Sequence, residues 1–466
     1  MLFSSSVFFI FFAIYFLLHA MLPSRWRLSL IIYGSVIFYG YWNPYYIWLP
    51  FVITYLAYFG SIWMMSTIDQ SQKKKRLITV LFATLLPLVI VKYTNFLYQN
   101  IFGIFFEENF KLIDWQLPLG ISFITFTLIA YVVDVYTGRY PLEQNLKTLT
   151  GLVFFFPHLI AGPILRPADL LPQLNRPKRK LGVGSIFGIS IFSIGLLKKL
   201  VFADSLSQIV EPVFQVNSVS QVSLEYILAI YAFAIQIYCD FSGYTDMAIG
   251  LAITLGVKLP INFQQPYGST SLIDFWKRWH ITLSNWLRDY LYIPLGGNRV
   301  GHMRQALNLF ITMVLGGLWH GASWNFLIWG AAHGIGIGFV HSVRRFNSLQ
   351  WLGLLPKFIK VFITFHFVTM CWILFRSPDL ATAWNVTSGP FLASTKDSLG
   401  FLIQHKFQIT LMCVFLFFHR WDNHQIVRSA IKRAPRILIW TSIILIWIVA
   451  ITISEGSSSK FIYFDF

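Results

Sequence analysis

The feature that most limits what this chain can fold into is an alternation of long apolar runs with short, charged connectors. Such runs occupy residues 4–20, 28–41, 46–65 and 77–97, all before the loop that holds Glu107, Glu108 and Asp114. In hydrocarbon no water satisfies backbone N–H and C=O groups, so each run must close its hydrogen bonds within a helix. The expected fold is an all-α polytopic membrane protein of about twelve spanning helices, with re-entrant and interfacial helices besides. Composition excludes an ordinary soluble globule, because 56% of the residues are hydrophobic and only 12% charged.

The formal net charge of +17 points to topology before it points to nucleic acid, since the basic residues sit in short runs between apolar segments. The run QKKKR at 72–76 marks the cytoplasmic side, as do Arg25 and Arg27. Both termini are then expected outside, which requires an even number of spans. The first apolar run has no basic residue before it and no small-residue cleavage pattern after it, so it reads as a retained helix. Residues 149–165 are apolar but short, broken by Pro157, Gly162 and Pro163, and flanked by basic residues; a re-entrant hairpin fits them, with a Pro-interrupted core helix as the alternative. Helices are expected at 186–202 and 226–253. Within the second, Asp240, Ser242, Tyr244 and Asp246 read as helix-packing hydrogen-bond groups. Cys239, Cys371 and Cys413 show neither disulfide pairing nor metal-ligand spacing.

Two later stretches carry the chemistry. In DFWKRWHITLSNWLRDYLYIPLGGNR (274–299), helical spacing puts Phe275, Trp276, Trp279, Leu283, Trp286 and Tyr290 on one face and Asp274, Lys277, Ser284 and Arg288 on the other. An aromatic, basic, amphipathic helix of that kind is expected to lie in the membrane interface with its rings among the headgroups, His280 at the border of its faces. The second stretch, GGLWHGASWNFLIWG (316–330), places His320 in an apolar segment between glycines, which are expected to leave access to its ring. An ionisable side chain at membrane depth is expensive and marks a functional site. Burial keeps an imidazole neutral and available as a base. His19, His158, His333, His341, His366, His405 and His419 read as packing residues. No GxSxG elbow, phosphate-cradling GxxxxGK[ST] or HExxH helix is present.

These stretches, with LPLGISFITFTLIAYVVDVYTG (117–138), FFPHLIAGPILRP (155–167) and QIYCDFSGYTDMAIG (236–250), resemble the membrane-bound O-acyltransferase family, in the bacterial branch typified by alginate O-acetyltransferase. The resemblance is firmest over 117–334 and weak over 377–438. It implies one integral-membrane domain over 1–466: N-terminal helices to 116, a catalytic core at 117–345 built around a central funnel, and C-terminal helices with an outer tail from 346. It implies catalysis by His320, with His280 at the family's second polar position. Acetyl-CoA would be the acyl donor, met on the cytoplasmic side by Arg278, Arg288 and Arg299. Trp276, Trp279, Asn298, Trp319 and Ser323 are further donor-site or substrate-site candidates. No permanently bound cofactor and no metal are expected. The resemblance places the chain in a bacterial inner membrane, passing acetyl groups to an extracytoplasmic partner transferase for a polysaccharide or peptidoglycan acceptor. D-alanyl transfer from a carrier protein to teichoic acid, or a non-catalytic polysaccharide export channel, are the alternatives. The ending FIYFDF fits Phe-x-Tyr-x-x-Phe and looks like the C-terminal motif of the small partner in teichoic acid D-alanylation, which makes Tyr463 a candidate acyl relay. A plain interfacial aromatic anchor is the other reading of that tail.

Overall fold

The computed structural model describes residues 1–102, 113, 116–174, 183–216, 222–345, 351–395, 398–454 and 461–462. In chain order the helices are α1 (Ser6–Met21), α2 (Arg27–Gly40), α3 (Trp48–Met65), α4 (Gln70–Leu97), α5 (Ile121–Thr137), α6 (Leu146–Val153), α7 (Phe156–Leu159) and α8 (Pro167–Leu174). Then come α9 (Val183–Leu197), α10 (Asp204–Val213), α11 (Ser223–Thr254), α12 (Leu272–Trp276), α13 (Ile281–Leu287), α14 (His302–His320) and α15 (Trp324–Arg345). The last are α16 (Trp351–Leu354), α17 (Lys357–Arg376), α18 (Leu380–Leu392), α19 (Ser398–Gln404), α20 (Lys406–Phe418), α21 (His424–Arg433) and α22 (Arg436–Ser454).

The all-α expectation holds. Among the described residues seven helices are long and apolar enough to cross a bilayer, or eight if the pair Ser398–Gln404 and Lys406–Trp421, bent by 75°, is one span. Two more, α1 and α5, are apolar but have only 16 and 17 residues. Length and composition alone therefore do not establish the expected count of about twelve.

Contacts divide the chain into two compact units, Met1–Phe192 with Tyr244–Pro260, and Ser193–Gly243 with Ile261–Phe466. The first has an aromatic core. Phe3 lies 4.9 Å from Phe8, Phe38 lies 5.4 Å from Phe156, and Tyr15 meets Phe156 edge-on at 5.1 Å. Such pairs add roughly 0.5–1.5 kcal/mol each beyond the area they bury. The Pro- and Gly-broken stretch becomes the short helices α6, α7 and α8, and residues 148–165 are buried throughout. The backbone groups freed by its bends find protein partners, as irregular backbone at membrane depth requires. Asn145 caps α6 through the Lys147 N–H at 2.9 Å, the Phe156 N–H donates to Ser35 Oγ at 2.9 Å, and His158 Nε2 donates to the Leu152 carbonyl at 2.7 Å. Gly120 allows a close approach, at φ +71° with room for no Cβ against the Leu159 carbonyl, 2.5 Å from where one would stand.

In the second unit a π-helical segment, Lys198–Ala203, joins α9 to α10. Beside it a Cβ on Gly243 would stand 2.7 Å from the Gly195 carbonyl, so the backbones of α9 and α11 nearly touch. The antiparallel hairpin of α14 and α15 is closed the same way. A Cβ on Gly317 would lie 2.2 Å from the Phe326 carbonyl, one on Gly330 2.4 Å from the Met313 carbonyl, and one on Gly334 2.9 Å from Phe310 Cα. Small residues that let helix backbones meet are the usual means of packing helices in lipid, where no hydrophobic force drives them together.

Candidate active site

His320 is the last residue of α14, at the apex of that hairpin, with Gly321, Ala322 and Ser323 making the turn into α15. It is 3% exposed. Its ring is enclosed by Trp319 at 4.9 Å, Phe375 at 5.1 Å, Trp329 at 5.2 Å and Phe326 at 6.4 Å, centroid to centroid. The neighbouring glycines do not open access to the ring, as their size suggested. A Cβ on Gly321 would lie 2.2 Å from the Phe326 ring, so the glycine draws the cage in. Trp329 Nε1 of the cage, and Trp372 Nε1 and His333 Nε2 beyond it, are buried with no hydrogen-bond partner among the described residues. Trp276 Nε1 donates to His333 Nδ1 at 3.3 Å, so His333 is the neutral tautomer with its proton on Nε2.

His280 corrects the reading of the aromatic stretch. The stretch is two short helices, α12 and α13, broken by a turn in which His280 takes φ +42°. The turn is imposed from eighteen residues upstream. The Asn262 carbonyl accepts the Ile281 N–H at 2.9 Å, and the Arg278 carbonyl accepts the Gln264 N–H at 2.9 Å. Asn262 Oδ1 accepts from the Thr282 N–H at 3.1 Å and the Thr282 hydroxyl at 3.0 Å, and it lies 3.2 Å from His280 Nδ1. The Thr282 amide can only donate, so that amide oxygen is an acceptor and His280 Nδ1 must carry the proton. The lone pair is then on Nε2. Burial pushes the His280 imidazole down to about 3, so it is neutral at physiological pH.

The aromatic face does not lie among headgroups. Phe275, Trp279 and Leu283 are each 1% exposed, with Trp286 at 8% and Trp276 at 9%. Trp276 packs on Trp329 and His333, and Trp279 on Trp372 at 4.8 Å. The rings have protein to bury against, which outweighs the interfacial position that their spacing suggested.

Trp319 joins the two histidines, its ring 4.9 Å from His320 and 6.1 Å from His280. The remaining candidates are less central. Arg278 pairs with Asp274 at 2.9 Å, and Arg288 with Asp289 at 2.6 Å. Asn298 and Arg299 are exposed beyond the turn at Gly296 and Gly297, which Asn308 holds by its amide; Ser323 is half-buried before α15. Tyr463 lies outside the described residues, although Phe461 and Ile462 before it are described.

Sequence reasoning missed three parts of this region. Asn262 carried no signal, because its partner is the turn it creates. Trp329 and Trp372 were not singled out, each being one apolar residue in an apolar run. Lys199 went unremarked at the end of an apolar run, yet it is 3% exposed and lies 2.8 Å from both Asp204 and Asp240. Asp240, expected to be a packing group, is one of its two partners.

Residues 34–376 match the model of the membrane-bound O-acyltransferase family. A probable alginate O-acetylase, AlgI, of Azotobacter vinelandii is 38% identical over 402 residues, which cover 84% of this chain and 78% of that protein. A peptidoglycan O-acetyltransferase of Helicobacter pylori is 35% identical over 412 residues, covering 80% and 76%. A teichoic acid D-alanyltransferase of Streptococcus thermophilus is more distant, 28% identical over 322 residues, covering 63% and 74%.

Proposed function

This chain belongs to the membrane-bound O-acyltransferase family and is a multi-pass membrane enzyme, and from that premise we propose that it transfers acetyl groups from cytoplasmic acetyl-CoA across the membrane. The final acceptor is an extracytoplasmic polysaccharide or peptidoglycan, reached through a partner transferase outside. The identities support the acetyl reading, at 38% and 35% for the two O-acetyl relatives against 28% for the D-alanyl one.

The observation that carries the proposal is His320, a buried imidazole in an aromatic cage at the apex of a locked helical hairpin. His320 accepts the proton of an incoming hydroxyl as its oxygen bonds to the thioester carbonyl carbon. The C–S bond then breaks, and the departing thiolate takes up the proton. General base catalysis of this kind contributes about 10²–10⁴ in rate. The indole N–H groups of Trp329 and Trp372 suit a developing oxyanion, for which buried donors count most in a dry site. Trp319 ties His280 to the same centre, where its Nε2 lone pair accepts a hydrogen bond from a bound hydroxyl or amide.

The test is thiol release from acetyl-CoA by the purified chain in detergent, with and without a hydroxyl acceptor. Acceptor-dependent release by the parent chain and its loss in His320→Ala are expected. Equal release by the two overturns the assignment of His320, and turnover of a D-alanyl carrier thioester in place of acetyl-CoA overturns the donor.

A further inference from the structure

We propose that Asp240 is a positioning residue that clasps residues 461–462 and, through Phe461 and Phe241, holds the His280 ring in place. The two oxygens of Asp240 are divided between a cation and the tail. Oδ1 lies 2.8 Å from Lys199 Nζ, and Oδ2 accepts the Ile462 backbone N–H at 2.8 Å. The π segment turns successive lysines to different partners, Lys198 to Asp422 at 2.6 Å and Lys199 to Asp204 and Asp240. Segments of this kind recur at functional sites. The near contact of Gly243 with Gly195, one turn from Asp240, brings the carboxylate within reach of the lysine.

The cluster has an electrostatic reason to take up an amide. Asp240 divides its oxygens between the Lys199 ammonium and the Ile462 N–H, and an N–H donated to a charged oxygen is about twice as strong as a neutral hydrogen bond. Buried ion pairs are poor sources of stability, because desolvation consumes most of the Coulomb gain. Their value here is geometric. The N–H of Ile462 fixes Phe461, which is 1% exposed and lies 6.0 Å from Phe241. Phe241 in turn meets His280 edge-on at 4.8 Å and 86°. Asn262 holds that imidazole at Nδ1, and Phe241, backed by the tail, bears on its ring. Phe461 is therefore internal packing, not a lipid anchor.

The inference rests on the acyl-transfer reading only for what His280 does, and the experiment separates the two. In a background without native cysteines, His280→Cys is exposed to a small thiol reagent in vesicles, alone and combined with Phe461→Ala, Asp240→Ala or Asp240→Asn. Phe461→Ala and Asp240→Ala are expected to raise the modification rate about tenfold. Asp240→Asn keeps the Ile462 N–H on its amide oxygen only by turning its NH2, a donor, toward the Lys199 ammonium, so its rate is expected between the parent's and that of Asp240→Ala. With His280 intact, the first two lower kcat about tenfold at nearly constant KM. An unchanged modification rate in Phe461→Ala, with the protein monodisperse, overturns the clasp. A raised rate with unchanged kcat upholds the clasp and overturns the role given to His280. Should Asp240→Ala fail to fold, Phe461→Ala alone decides.

Discussion

The two histidines reach the same Trp319 by opposite routes. His320 ends a regular nineteen-residue helix, and its surroundings come from the adjoining turn, the next helix and α17. His280 stands where a helix fails, in left-handed backbone, and depends on Asn262, Phe241 and, at one remove, Phe461. The first site is built mostly from its own hairpin, with Phe375 added from α17, and the second from residues gathered across the chain. A site of the first kind should lose only its chemistry when its ring is removed. One of the second kind should fail in graded fashion as its supports are taken away.

The largest effect should follow His320→Ala, with transfer falling about 10²–10⁴-fold. Expression and membrane insertion should stay near the parent's, as measured by membrane yield and size-exclusion profile. A loss of yield comparable to the loss of activity would show that this ring also supports the hairpin, and the contrast would break.

Asn262→Ala should come next. It removes the acceptor of Thr282 and His280 and frees the imidazole, so kcat should fall about tenfold. The thermal midpoint should fall as well, because the buried donors of Thr282 lose their partner. Unchanged kcat with a lowered midpoint would make Asn262 a support of the turn alone.

A smaller effect sharpens the point about backbone. At φ +42° a residue with a Cβ is strained and glycine is not, so His280→Gly should be more stable than His280→Ala by about 1 kcal/mol, read from denaturation in the same detergent. The reverse order would mean that the left-handed turn is not retained without the ring. The smallest effect belongs to Arg288→Gln. Its guanidinium is 55% exposed beside the adjacent Asp289, so stability should change by less than about 1 kcal/mol. If the guanidinium meets the donor, KM for the thioester should rise severalfold with kcat unchanged.

The same contrast explains what the sequence made legible. His320 stood out because a polar residue in an apolar, glycine-flanked run is visible from its neighbours alone. The all-helical fold was visible because hydropathy is local. The break at His280 was hidden, since Trp276, Trp279, Leu283 and Trp286 keep helical spacing across it and the residue that imposes it lies at 262. Lys199 was hidden for a similar reason: its carboxylate partners belong to a different helix and to its own next turn. The glycines were noticed but assigned the wrong task, because a missing side chain looks the same whether the space is left open or filled by another backbone.

That last feature bears on how the enzyme meets membranes of different thickness. With Gly317 against Phe326 and Gly330 against Met313, the two arms of the hairpin cannot slide or press closer without forcing main chain into main chain. A thinner or thicker bilayer is accommodated by tilting helices or deforming lipid, at fractions of a kcal/mol per ångström. The hairpin answers such mismatch as one body. The depth of His320 is thus a dimension of the protein and not of the lipid, and turnover should be nearly the same in short-chain and long-chain phospholipids.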